Sequence, residues 1–202
     1  MSLSFLAAAV AFQRGHTLTF VRHGETVANA TGKYNSKTLN ALSKRGQSQA
    51  SALTQELLRQ PRFDTILVSP APRAMGTIAP YLRATHTQAV IWPLLYECCT
   101  GRRPKDAHAT HFGFGARIRI PNEFAGLFRL IPGHDRYPQA DKYNEGLCQV
   151  DASLSEYKSL YAKGRVLMVG HSGHGGHFIH ALTGKWRKVE NAIPIDVSSL
   201  LH

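Results

Sequence analysis

Arginine, histidine and a carboxylate recur in this chain in combinations suited to moving a phosphoryl group. The runs Arg22-His23-Gly24-Glu25-Thr26, Ser69-Pro70-Ala71-Pro72-Arg73-Ala74 and Gly170-His171-Ser172-Gly173, with Glu97 between the last two, supply guanidiniums, imidazoles and an acid. A guanidinium fork matches two phosphate oxygens at once. A neutral imidazole can attack phosphorus and hold the group covalently. A carboxyl can protonate the departing alcohol and then deprotonate the incoming water. Fixed cations neutralise the developing charge, so the expected chemistry calls for no metal and no cofactor.

Such residues act together only if the fold gathers them at one rim. Residues 17–21 are β-branched and aromatic and end in a Gly-containing turn, which predicts a strand. Ser43 suits the N-cap of a helix running to about residue 60, ended by Pro61. Residues 65–68 form a short apolar strand, and Pro72 fits the first position of the helix that follows. Residues 89–92 predict another strand, closed by Pro93. Residues 141–162 read as a helix with Leu147, Val150, Leu154, Tyr157 and Leu160 near one face. The continuous apolar run 165–169 suits a strand buried on both faces of a mostly parallel sheet. Residues 170–176 read as a turn, 177–182 as the start of a helix ended by Gly184, and 193–197 as a last strand. The alternation predicts an α/β fold, a three-layer α/β/α sandwich in one domain over 1–202. The candidate groups then fall just past the carboxyl ends of strands, where open α/β sheets bind ligands.

The same runs resemble a family. Phe20-Val21-Arg22-His23-Gly24-Glu25-Thr26 with Asn29 is similar to the leading motif of the histidine phosphatase superfamily, the phosphoglycerate mutase-like enzymes. Leu42-Ser43-Lys44-Arg45-Gly46-Gln47-Ser48-Gln49-Ala50 resembles that family's helix start, residues 64–74 its second-strand motif, and residues 167–173 its late histidine. Several such motifs in the family's order are far more specific than one. The resemblance covers roughly residues 17–100 and 164–184 and implies a phosphoglycerate mutase-like fold. It further implies that His23 is the nucleophile, that Arg22, Arg73 and His171 hold the phosphoryl oxygens, and that Glu97 donates the proton. Asn29 matches a position that often helps to bind phosphate, and Ser172, beside His171, joins it among the expected substrate-binding residues. After Glu97 the chain lacks the tryptophan–glutamate–glycine of many members, so Asp106 is the alternative proton donor. The two guanidiniums are expected to depress the His23 pKa and keep it nucleophilic.

Composition narrows the partners. At 43% hydrophobic and 18% charged, the chain has enough apolar content for a core and is neither disordered nor coiled-coil. Its 24 Lys+Arg against 13 Asp+Glu, a net charge of +11, point to an anionic partner. Residues 99–140 lack periodicity and read as an irregular insertion or lid, with Arg102, Arg103, Lys105, Arg117, Arg119 and Arg129 among several phenylalanines. His171, His174, His177 and His180 recur at every third residue, but such steps drift around a helix, so metal binding is not expected. His174 is placed beside the pocket and the later ones at the surface. Three cysteines, with Cys98 and Cys99 adjacent, make no disulfide framework and are expected as ordinary thiols.

The leading expectation is a metal-independent phosphomonoester hydrolase working through phosphohistidine on a phosphorylated small molecule or phosphopeptide. The alternatives are mutase-type phosphoryl transfer and a basic anion-binding module with a vestigial site. Cys98-Cys99-Thr100-Gly101 stands where mutases carry arginine–histidine–tyrosine–glycine, which favours hydrolysis. No recognised RNA-binding pattern of basic and stacking residues occurs, so no nucleic-acid partner is expected. No apolar run approaches the roughly 20 residues that span a bilayer, and no membrane partner is expected. Residues 1–16 read as an N-terminal arm. Their apolar stretch 4–12 resembles an export signal without its preceding basic residues, so a cytoplasmic location is expected, with export as the alternative. A monomer and a homodimer fit equally.

Overall fold

Four strands with apolar centres stack in parallel because each is buried on both faces. A computed structural model describes residues 15–100 and 111–201. In it β1 (Thr17–Arg22) pairs with β7 (Arg165–Gly170), β7 with β2 (Thr65–Val68), and β2 with β3 (Ala89–Ile91), all parallel. β5 (Phe128–Leu130) extends the β3 edge in parallel, and β8 (Ile195–Asp196) closes the other edge antiparallel to β1. The sheet order is therefore β5-β3-β2-β7-β1-β8. A separate antiparallel pair joins β4 (Gly113–Arg117) to β6 (Arg136–Gln139).

Helices cover both faces. On one, α3 (Lys44–Leu58) and α4 (Pro72–Thr85) bury Leu53, Leu57, Met75, Ile78 and Leu82 against Val21, Val68 and Val169. On the other, α5 (Tyr143–Glu156) and α6 (Ser172–Thr183) bury Val150, Phe178 and Ile179 against Leu18, Phe20, Val166 and Met168. Burying large apolar side chains on both faces of the sheet is the dominant stabilising term for such a fold. The helix starts follow local rules. The Ser43 hydroxyl caps α3 by accepting from the Gly46 N–H at 3.0 Å, and Pro72 opens α4.

Several elements differ from their sequence reading. α6 begins at Ser172 rather than at His177, because Gly173, Gly175 and Gly176 are helical residues and not a turn. α1 (Val27–Thr31) and α2 (Ser36–Asn40) are single turns of helix, too short for periodicity to announce. The long helix ends at Glu156 and continues as a π turn over Tyr157–Tyr161, which leaves Leu160 exposed rather than on the apolar face. Within 111–140, Ile118, Phe124 and Phe128 are buried in the same apolar cluster as α3 and α4, so these residues of the expected insertion belong to the core. The expected arm over 1–14, and Asp106, Arg102, Arg103 and Lys105, lie outside the described residues. Among the described residues no helix is long and apolar enough to cross a membrane.

Candidate active site

The carboxyl ends of β1, β2 and β7 open onto one rim, and the parallel register decides which residues meet there. Arg22 is in register with Gly170, and the His23 N–H donates to the Gly170 carbonyl at 3.0 Å. That places the residue after each strand, His23 and His171, side by side. Their rings lie edge to face with centroids 5.2 Å apart. His23 is 4% exposed and His171 is fully buried.

Hydrogen bonds fix the protonation of both imidazoles. His23 Nδ1 lies 2.8 Å from the Gly24 carbonyl, which can only accept, so Nδ1 carries the proton and Nε2 keeps its lone pair. Asn191 Nδ2 donates to the His23 carbonyl at 2.7 Å and Gly24 N–H donates to Thr77 Oγ1 at 2.8 Å, so the loop is held on both sides. On the neighbouring ring, Arg73 Nη2 donates to His171 Nδ1 at 3.1 Å. His171 therefore carries its proton on Nε2, directed at Ser69 Oγ at 2.7 Å.

Burial is the main cause that drives the His23 pKa down, to about 3, with Arg73 and Arg22 adding to it. The guanidiniums thus act in the expected direction but are the smaller cause. Burial also holds His171 well below its ordinary value, assisted by Arg73 and His23. Both rings are neutral near pH 7.

Both guanidiniums act on the two imidazoles. Arg73, in the first turn of α4, is 5% exposed, and its Nη1 donates to Asn40 Oδ1 at 3.1 Å. Arg22 is half-buried, its Nη1 donates to the Val189 carbonyl at 3.3 Å, and its buried Nε has no partner. Burial lowers both guanidinium pKa values, and the Glu97 charge opposes it in each. Glu97 follows the short 3₁₀ turn Pro93–Leu95, and its Oε1 accepts from the His174 N–H at 3.0 Å. Burial raises its pKa although that N–H and both arginines pull it down. Its carboxyl is therefore poised to carry a proton at a higher pH than an ordinary glutamate.

The remaining expected residues separate. Ser172 opens α6 and, with Arg22, Gln49 and Asn191, lines a cavity of about 530 Å³ beside the cluster. Asn29 Oδ1 is engaged in the capping box of α1, accepting from the Thr26 N–H at 3.1 Å. His174 is fully buried, with Nε2 at 3.0 Å from Ser153 Oγ, whereas His177 and His180 contact Trp186. No group of three or more His, Cys, Asp or Glu is placed to hold a metal ion among the described residues. Cys98 and Cys99 are free thiols 3.3 Å apart, and their mutual hydrogen bond, with burial, raises the Cys98 pKa.

Sequence reasoning missed Asn40, Thr77 and Asn191. Thr77 sits one helical turn after Arg73 and was findable by that spacing. Asn40 and Asn191 belong to short turns with no pattern of their own.

The model of the histidine phosphatase superfamily (branch 1) matches residues 18–198. An adenosylcobalamin/alpha-ribazole phosphatase of Salmonella typhi is 40% identical over 80 residues, 40% of this chain and 39% of that relative's length. The namesake protein of Salmonella typhimurium is 38% identical over 84 residues, 42% of this chain and 41% of its own. Among solved structures, the alpha-ribazole phosphatase from Shigella flexneri superposes with a TM-score of 0.58 at 22% identity, covering 88% of both chains. The ecdysone phosphate phosphatase of Bombix mori gives 0.53 at 18% identity, covering 89% of this chain and 87% of that one. These structural likenesses bear on the fold, whereas the family match spans nearly the whole sequence with the imidazole and guanidinium runs inside it. On that match the chain belongs to the histidine phosphatase superfamily.

Proposed function

We propose that the chain hydrolyses phosphomonoesters through a phosphohistidine on His23. One observation carries the reading: Nδ1 of His23 is tied to the Gly24 carbonyl, which leaves an unprotonated Nε2 in a buried cluster with Arg22, Arg73 and His171. As the Nε2–phosphorus bond forms, the bond from phosphorus to the ester oxygen breaks, and Glu97 protonates that oxygen. Glu97, now a carboxylate, takes a proton from water as the water oxygen attacks phosphorus. Inorganic phosphate leaves and the imidazole is regenerated.

Arg22 and Arg73 hold the equatorial oxygens, the main source of rate in a reaction governed by positioning and charge. His171 reaches the anion by turning its Nε2–H from Ser69 to a phosphoryl oxygen. Ser172 contributes at the start of α6, and Asn29 contributes through its side-chain Nδ2. The relatives' names make alpha-ribazole phosphate a first ester to assay.

The test is phosphate release across a panel of phosphorylated metabolites and peptides, combined with trapping of the phosphoenzyme by acid quench. His23→Ala is expected to abolish both turnover and covalent labelling. Turnover at the wild-type level in that variant overturns the nucleophile assignment.

A further inference from the structure

We propose that Tyr96, backed by Tyr137, forms the wall against which the ester's leaving group lies, and that this wall favours alcohols bearing a planar aromatic ring. The inference rests on the cluster being a phosphomonoester site. In an in-line displacement the leaving oxygen stands opposite the attacking nitrogen. With His23 as nucleophile and Glu97 as proton donor, that oxygen is beside Glu97, and Tyr96 is the next residue in the chain.

Tyr96 is rigidly placed. Its N–H donates to the Pro93 carbonyl at 2.9 Å, and its own carbonyl accepts from Gln149 Nε2 at 2.8 Å. The ring lies 6.0 Å from that of His171, at 79°, and 5.1 Å from that of Tyr137, at 65°. Both contacts are edge to face, so neither neighbour stacks over Tyr96, and the side chain is only half-buried. Tyr137 arrives from β6, and its hydroxyl donates to the Pro70 carbonyl at 3.2 Å, beside the loop that carries Arg73. Both phenols lie near enough to Arg73 to act on its charge. The wall therefore borders the guanidinium and the imidazole, and Tyr96 directly precedes the acid in the chain. Aromatic rings prefer offset or edge-to-face contact with other rings, so a planar ring on the alcohol gains here what a saturated ring of similar size does not.

The test pairs benzyl with cyclohexylmethyl esters, which share a primary alcohol oxygen and differ in the ring. Affinities of benzylphosphonate and cyclohexylmethylphosphonate are measured calorimetrically, and hydrolysis of the matching phosphates is measured separately. Wild type is expected to bind the benzyl compound about three- to tenfold more tightly. Tyr96→Phe keeps that ratio, and Tyr96→Leu brings it to about one. Tyr137→Leu, on β6, also lowers the ratio and serves if Tyr96→Leu does not fold. A wild-type ratio near one, a ratio unchanged in both leucine variants, or no binding of either phosphonate overturns the proposal. A ring preference in binding without phosphate release from either ester refutes the hydrolase reading alone and leaves the wall standing.

Discussion

In the proposed mechanism Glu97 and His23 divide the proton chemistry, because burial raises the pKa of one and lowers that of the other. The carboxyl is held up and the imidazole is held down to about 3. Each shift favours the neutral form, the state that the proposed first step requires. For an ester with a poor leaving group, turnover is expected to fall as pH rises through the raised Glu97 pKa. No loss from His23 protonation is expected until pH approaches about 3. Glu97→Gln should remove that basic limb and slow alkyl phosphates by about 10²- to 10⁴-fold. p-Nitrophenyl phosphate, whose alcohol leaves without a proton, should lose far less. The substrate's own titration is common to wild type and variant, so comparing their pH profiles isolates Glu97. Equal losses of kcat/KM on both esters, a quantity set by the step that forms the phosphoenzyme, would remove Glu97 from the proton-donor role.

The start of α6 shows how an element sets the acid. A Cβ at Gly173 would overlap the Cys98 carbonyl and lie 2.8 Å from Glu97 Oε1, whereas one at Gly175 would overlap the Phe20 ring. The two glycines thus serve different ends, one the site and the other the core. Gly173→Ala is expected to displace Glu97 and lower alkyl-ester turnover by about 10- to 10²-fold, with aryl-ester turnover less affected. Gly175→Ala is expected to cost about 1–3 kcal/mol of stability by overpacking. Urea denaturation and the alkyl-to-aryl rate ratio separate the two effects. These glycines also explain why the sequence pattern places the start of α6 too late: Gly favours turns locally, and only the contacts with Cys98 and Phe20 reveal why it sits in a helix. α3 and α4 were legible because Ser43 and Pro72 act within their own first turns. β5 was not, since three residues have no period and their strand depends on pairing with Ala89–Ile91. The residue types of the site could be read in the chain, but the tautomers of His23 and His171 could not. They follow from Gly24, Ser69 and Arg73 as neighbours in space.

At the scale of the molecule, gathering imidazoles in an interior rim makes the fold itself sensitive to acid. His23 and His174 are pushed down to about 3, and His171 well below its ordinary value, in each case with burial as the first cause. Unfolded, each would titrate near 6.5. Below that pH the unfolded chain binds protons that the folded chain refuses, so stability is lost as pH falls and is complete above it. Each group contributes about 1.4 kcal/mol between pH 7.5 and 5.5, so the three together amount to about 4 kcal/mol. Glu97 acts with the opposite sign, because its raised pKa makes the folded chain the better proton acceptor, and it offsets part of this loss. The net charge of +11 works with the histidines, since further protonation adds repulsion to an already basic chain. Urea denaturation at pH 7.5 and 5.5 measures the difference directly. His174→Leu removes one buried imidazole outside the proposed phosphate contacts and should reduce the acid sensitivity by about 1.4 kcal/mol, whatever it does to stability at pH 7.5. A stability that is flat across this interval in wild type would mean that the rim opens to water. The neutral, nucleophilic His23 would then lose its physical basis.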